Sequence, residues 1–158
     1  MRIGHGYDAH RFENGRKLYL CGILIPEEDG LAGHSDADVG IHALMDAMLG
    51  AAALGDIGVH FPPSDMQYKD IRSTELLRVV KDKIEKAGYS LGNADITIIA
   101  QKPRLSPYIS DMRKTLADVL GTEPGNINVK ATTTEKMGFT GRCEGIAAEA
   151  VCLLNKRI

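Results

Sequence analysis

At 158 residues the chain suits one domain with one core, which at this length buries roughly 70% of the surface exposed by the unfolded chain. Apolar residues make up 44% and charged residues 25%, and the net charge of −2 supplies no global basic field for nucleic acid or an anionic membrane. The three cysteines, Cys21, Cys143 and Cys152, are odd in number and form no CxxC, which argues against a disulfide framework or a cysteine-only zinc site and fits a reducing cytosol. The opening MRIGHGYDAHRF lacks the apolar stretch of a signal peptide, and no apolar run approaches the roughly 18 residues that span a bilayer.

The predicted elements begin with an extended segment, Arg2–His10. A second strand is predicted over Leu18–Ile25 (LYLCGILI), ended by Pro26 and the acidic turn Glu27–Gly30, so the two suggest an antiparallel pair. Asp36–Leu54 is the clearest helix, with an apolar stripe of Val39, Ile41, Leu44, Met45, Met48 and Leu49 and a start signal in Ser35 and Asp38. Gly55–Asp70 reads as irregular. Ser73–Ala87 is a second amphipathic helix stopped by Gly88, Asp95–Gln101 a strand ended by Pro103, and Pro107–Leu120 a third helix followed by Gly121. Ile127–Thr132 is a strand and Thr133–Glu144 a polar loop. Ile146–Leu154 fits a strand and a short helix equally. The order predicts an α+β fold, a single domain over 1–158 with a mixed sheet and helices mainly on one face. It does not match a doubly wound fold, and neither GxGxxG nor a P-loop is present.

Three groups of residues could carry chemistry. In a strand, Asp8 and His10 project from the same face, where a carboxylate and an imidazole can share a metal ion. Asp38, His42 and Asp46 are spaced i, i+4, i+8 on one helical face, and His42 could complete an Asp/His/His set with an open fourth position, as in catalytic zinc, although manganese or iron would also suit. The same residues have plainer uses: Asp38 as a helix cap, Asp46 as an acceptor orienting an imidazole, His42 as a structural histidine. The second group is Lys130-Ala131-Thr132-Thr133-Thr134-Glu135-Lys136, whose hydroxyls, amides and lysines form either a phosphate cradle or a capped turn. Glu135 could hold Mg²⁺, and Lys102 is either a further phosphate contact or a solvated lysine. The third group, Phe139 to Gly145, places Arg142 and Glu144 among glycines, as an anion site, an intersubunit ion pair or a surface loop. Cys143 has no histidine partner that would activate it as a nucleophile.

The blocks MRIGHGYDAHRF, GHSDADVGIHALMDAMLGAAALGDIG, DITIIAQKP and NVKATTTEKMGFTGRCEGIA resemble the 2-C-methyl-D-erythritol 2,4-cyclodiphosphate synthase family from Met1 to about Leu154. The resemblance implies a homotrimer with active sites between subunits, a final segment that is a strand, and an enzyme of the non-mevalonate isoprenoid pathway. Its reaction is attack of the 2-phosphate of 4-diphosphocytidyl-2-C-methyl-D-erythritol 2-phosphate on the β-phosphorus, closing a ring and expelling CMP, a phosphorus–oxygen lyase reaction. By the same resemblance Asp8, His10 and His42 match zinc ligands, and Glu135 matches a residue holding Mg²⁺ or Mn²⁺. Thr132 and Thr133 match residues at the diphosphate and cytidine, with Ala100, Lys102, Pro103 and Ala131 around the base. His34, Ser35, Asp56 and Gly58 match residues lining the erythritol and phosphate pocket, and Asp46 an acid beside the zinc ligands. His34, Asp46 and Thr133 are the candidates for catalytic roles. Arg142 and Glu144 match residues near the threefold axis, where some members enclose an isoprenoid diphosphate, and Phe139 and Arg142 are further candidates for substrate binding. One departure stands out: Phe61-Pro62-Pro63-Ser64-Asp65 carries Pro63 where the family often has an Asp that holds the sugar, while Asp65 remains. A bacterial cytosolic location is expected, or a plastid one after removal of a transit peptide. Two other functions remain open on the residues alone, a zinc phosphohydrolase and a trimeric isoprenoid-diphosphate-binding protein.

Overall fold

The computed structural model describes residues 1–158, the side chain of Glu27 aside. The chain opens with a long hairpin, β1 (Arg2–Leu20) and β2 (Ile23–Leu31), closed by a turn at Cys21 and Gly22. Both turn residues have positive φ, 48° and 83°, which suits a tight hairpin twist and is tolerated readily by Gly22. The predicted strand Leu18–Ile25 therefore contains the turn. The run LYLCGILI is apolar on both sides because Leu18, Leu20, Cys21 and Ile25 all enter the core.

Helix α1 (Val39–Ala51) follows, and its N-cap is Asp38. The helix starts three residues later than predicted because Asp36 and Ser35 are committed to other contacts, described below. Asp38 Oδ1 accepts from Ile41 N at 3.1 Å and from Cys21 N at 2.8 Å, and Oδ2 accepts from Gly22 N at 2.7 Å. One buried carboxylate thus caps the helix and closes the hairpin turn. Burial and the neighbouring Asp36 push its pKa up to about 7, against the pull of the three amides.

The stretch predicted as irregular holds a single-turn helix, α2 (Ile57–His60), capped by Asp56, and a 3₁₀ turn, Met66–Tyr68, capped by Asp65. Next come α3 (Ser73–Lys86), β3 (Tyr89–Ile99), α4 (Ile109–Leu120), β4 (Ile127–Thr132), the short α5 (Gly138–Gly141) and β5 (Gly145–Lys156). The Lys102–Pro103 peptide is cis. The five strands form one mixed sheet in the order β2-β1-β5-β3-β4, with β3 and β4 parallel and the other neighbours antiparallel. The final segment, which fits strand or helix by its residues and which the family resemblance implies to be a strand, is the central strand β5. Ala148, Ala150 and Cys152 point into the core, while Glu149 and Val151 alternate outward.

The helices lie on one face, with α1 against β1 and β5 and α3 beside it. Contact between α1 and β1 is close because Gly4 and Gly6 face the helix. A Cβ on Gly4 would lie 1.8 Å from Ala47 O, and one on Gly6 would lie 1.9 Å from Ala43 O. Since Gly4 and Gly6 occupy successive inward positions and Asp8 and His10 the next two, the strand brings the carboxylate and imidazole against the same helix.

Candidate functional site

Asp8 and His10 sit on one face of β1, as their spacing predicts, and His42 reaches them from the second turn of α1. Asp8 Oδ2 lies 2.8 Å from His10 Nε2 and 3.0 Å from His42 Nδ1, and the two ring nitrogens are 3.2 Å apart. Four donors arranged tetrahedrally about zinc at ordinary bond lengths lie roughly 3.3 Å from one another. The carboxylate and two imidazoles therefore fit a metal of this kind, and the side facing the adjacent pocket is free for a fourth ligand. Burial pulls the Asp8 pKa up, but the hydrogen bonds and charges of His10 and His42 outweigh it and hold the carboxyl down to about 2. Burial opposes charge on His10, and the Asp8 carboxylate outweighs that too, so its pKa is raised. Among the described residues this is the one group of at least three His, Cys, Asp or Glu side chains close enough to hold a metal.

The outer nitrogens of both rings are engaged. His10 Nδ1 lies 2.8 Å from Ala32 O, which fixes that nitrogen as the donor and turns Nε2 toward the cluster. His42 Nε2 lies 3.2 Å from Ser35 Oγ and 3.1 Å from Ser73 Oγ.

The cluster opens into a pocket of about 200 Å³ lined by Asp8, His10, His34, Ser35, His42 and Gly58, with an apolar wall of Met45, Ile57, Phe61, Tyr68 and Leu76. Pro63 lines it as well, so the departure noted in the sequence falls inside the pocket. His34 Nε2 is 3.1 Å from Asp65 O, tying the 3₁₀ turn to the pocket rim. Asp46 Oδ1 accepts from Ile57 N at 2.8 Å, so it anchors α2 above the cluster. Burial raises its pKa, and Asp56 and Asp8 add to the rise against the Ile57 amide. Asp56 and Asp65 serve as caps of their short helices rather than as lining residues.

A second pocket of about 350 Å³ is built beside the C-terminal ends of β3 and β4, toward the opposite edge of the sheet from β1, from Ala100, Gln101, Pro103, Arg104, Leu105, Ser106, Ala131, Thr132 and Thr133. The two pockets have no residue in common. Much of the threonine-rich segment is occupied locally. Lys130 pairs with Asp95, Thr134 Oγ1 is within 2.9 Å of Thr140 Oγ1, and Thr133 Oγ1 accepts from Glu135 N at 3.2 Å. Glu135 and Lys136 both have positive φ, and Glu135, Phe139 and Arg142 are exposed. Arg142 pairs with Glu144 at 2.9 Å. Lys102 lines neither pocket.

Asp36 belongs to the acidic run that leads into α1, but sequence reasoning missed Ser73, which reaches His42 from outside that run and bonds Asp36, and it missed the apolar wall of the first pocket. The amphipathic stripe that marks Leu76 as a core residue gave no sign that its edge also borders a site.

The fold and this site define a class: an α+β protein whose Asp/His/His cluster, suited to a divalent metal, opens onto a pocket of small-molecule size. Residues 1–155 match the YgbB family, and the chain belongs to it. The chain is 62% identical to the 2-C-methyl-D-erythritol 2,4-cyclodiphosphate synthase of Moorella thermoacetica, covering 99% of this chain and 96% of that protein. With the enzyme of the same name from Methylococcus capsulatus it shares 58% identity, covering 99% of each. Among solved structures, a 2C-methyl-D-erythritol-2,4-cyclodiphosphate synthase bound to CDP superposes with a TM-score of 0.89 at 38% identity, over 98% of this chain and 100% of that one. The bifunctional IspDF from Campylobacter jejuni superposes with a TM-score of 0.95 at 45% identity, and there the chain spans 42% of the larger protein. No helix of the described residues is long and apolar enough to cross a membrane.

Proposed function

We propose that the chain converts 4-diphosphocytidyl-2-C-methyl-D-erythritol 2-phosphate to 2-C-methyl-D-erythritol 2,4-cyclodiphosphate with release of CMP, a lyase step of the non-mevalonate isoprenoid pathway. The observation that carries this reading is the Asp8/His10/His42 cluster at the wall of a pocket, in a chain 62% identical to a synthase of that name. Asp8, His10 and His42 hold zinc, which supplies Lewis-acid polarisation of a phosphate oxygen. Glu135 would hold Mg²⁺ or Mn²⁺, a hard cation for which few carboxylates are needed and which would offset phosphate charge. The remaining work is positioning. The substrate brings its own nucleophile, so the chain must hold two like-charged phosphates in line and keep water away.

His34, Ser35 and Gly58 line the end that receives the methylerythritol phosphate, with Asp56 and Asp65 shaping its rim. Asp46 keeps α2 over the cluster. Pro63 contributes an apolar surface where a carboxylate would accept from sugar hydroxyls, leaving that task to other groups. Ala100, Pro103 and Ala131 surround the cytosine, Lys102 lies toward the nucleotide phosphates, and Thr132 and Thr133 meet the diphosphate, where Thr133 stabilises charge growing on the departing CMP.

A homotrimer accounts for the separation of the two pockets, with each active site joining the metal pocket of one copy to the nucleotide pocket of the next. The uncovered sheet face supports this: Ile3, Tyr7 and Val151 are 71%, 49% and 41% exposed there. Phe139, Arg142 and Glu144 then gather around the axis, where an isoprenoid diphosphate finds both apolar surface and a cation. The protein works in the cytoplasm.

The deciding experiment is a product assay by phosphorus NMR with zinc and Mg²⁺ present. Cyclic diphosphate with stoichiometric CMP is expected. Inorganic phosphate instead would make the protein a hydrolase, and binding of an isoprenoid diphosphate without turnover would make it a binding protein.

The protonation of the cluster sets a pH dependence. A ligating imidazole must be neutral, and the pKa of His10 is raised above 6.5 while Asp8 stays ionised down to about 2. Zinc affinity should therefore fall as pH drops through the raised His10 value, with Asp8 adding no proton competition. In the zinc-free protein the sign is opposite: the protonated His10 paired with Asp8 adds stability below about 6.5, lost as pH rises through the folded pKa. Zinc competition titrations between about pH 6 and pH 8 test this, and an affinity flat across that range refutes it.

A further inference from the structure

The geometry points to Asp36 and Ser73 as positioning residues that hold His42 through its outer nitrogen and so direct Nδ1 at the metal. The inference rests on Asp8, His10 and His42 being metal ligands. It follows from which atoms can donate. The Asp36 carboxylate can only accept. Its Oδ2 accepts from Ser73 N at 3.0 Å and from Arg72 Nε at 3.3 Å, and its Oδ1 from Asp38 N at 3.1 Å and from the Ser73 hydroxyl. That last bond uses the one proton Ser73 Oγ possesses. The hydroxyl can therefore only accept from His42 Nε2, 3.1 Å away. Ser35 Oγ, 3.2 Å from the same nitrogen, already accepts from Ala37 N at 3.2 Å. On the other side of the ring, Nδ1 lies 3.0 Å from Asp8 Oδ2 and 3.2 Å from His10 Nε2.

The chain of bonds from Arg72 through Asp36 and Ser73 thus keeps a proton on Nε2 and leaves the Nδ1 lone pair for coordination. It is rigid. Ser73 is 0% exposed, Asp36 8% and His42 7%. At the outer end the Arg72 guanidinium lies 4.0 Å over the Tyr19 ring and donates to Gly22 O at 3.1 Å. Groups that orient a metal-bound imidazole in this way typically change metal affinity about 10–100-fold when removed.

Two variants separate polarity from packing. Ser73→Ala removes the acceptor. Asp36→Asn keeps the shape but places an amide donor opposite Ser73, turning the serine proton toward Nε2 and favouring the tautomer with its proton on Nδ1. Zinc affinity is measured by chelator competition on folded zinc-free protein, checked by thermal unfolding. In parallel, zinc-loaded wild type with ¹⁵N-labelled histidine is examined for a slowly exchanging Nε2–H of His42. The expected result is one zinc per wild-type chain, a protected Nε2–H, and affinity lowered about 10–100-fold in Ser73→Ala and further in Asp36→Asn. Wild-type affinity in both variants overturns the assignment. So does a His42 Nε2–H that exchanges freely in the zinc-loaded wild type, which needs no variant to fold. A wild type that takes up no zinc overturns the metal-site reading itself, and the relay with it.

Discussion

Replacing His42 by alanine is expected to lower synthase turnover by about 10³-fold or more, with the loss in kcat rather than KM. The estimate comes from the metal's contribution: Lewis-acid stabilisation of phosphate charge is worth several kcal/mol, and each 1.4 kcal/mol is about tenfold. Asp8 and His10 alone leave two donors 2.8 Å apart, too few to retain zinc against solvent. The ring is almost fully buried, so the variant also loses packing, and its folding must be checked by circular dichroism and thermal unfolding before turnover is interpreted. Zinc content and cyclic diphosphate formation should fall together. A folded His42→Ala protein that keeps more than about a tenth of wild-type turnover would show that the cluster is not the catalytic metal site.

Gly6→Ala should be among the most damaging changes of a residue outside the pockets. The added methyl would lie 1.9 Å from Ala43 O and 2.8 Å from Ala47 N, so α1 has to move off β1 by more than an ångström. Overpacking of this kind costs about 3 kcal/mol or more when backbone is what must give. The helix carries His42, so the same displacement pulls one ligand from the other two, and misplacement of about 1 Å is enough to cost roughly 10²-fold in rate. Denaturant unfolding of the zinc-free variant measures the first effect and zinc affinity the second. Stability and affinity both equal to wild type would mean that the glycine does not set the helix–strand distance.

Local periodicity made part of this legible. Asp8 and His10 share a face because strands repeat every second residue, and the α1 stripe marks its own helix. Other features depend on contacts between distant segments. The turn at Cys21–Gly22 is hidden inside an apolar run and is stabilised from outside by Asp38, which lies 17 residues from Cys21 in sequence. The strand β5 was undecided because its small residues fit either state, and its place between β1 and β3 decides the matter. Ser73 looked like the start of an amphipathic helix, and only the fold carries its hydroxyl to a ring 31 residues away. The first pocket draws on residues between Asp8 and Leu76 and the second on residues between Ala100 and Thr133, but spacing alone does not say that these two groups fold into separate pockets.

If each active site joins two copies, as proposed above, it can be rescued by partners with different lesions. In the trimer proposed above, a His42→Ala chain still offers a sound nucleotide pocket, and a Glu135→Gln chain still offers a sound metal cluster. Each variant alone should be inactive. If the two are unfolded together and reassembled in equal amounts, chance pairing restores about one quarter of the sites to wild-type composition. Recovered activity near that fraction would demonstrate complementation between subunits. Mixed trimers that stay silent would place both halves of the site within a single chain.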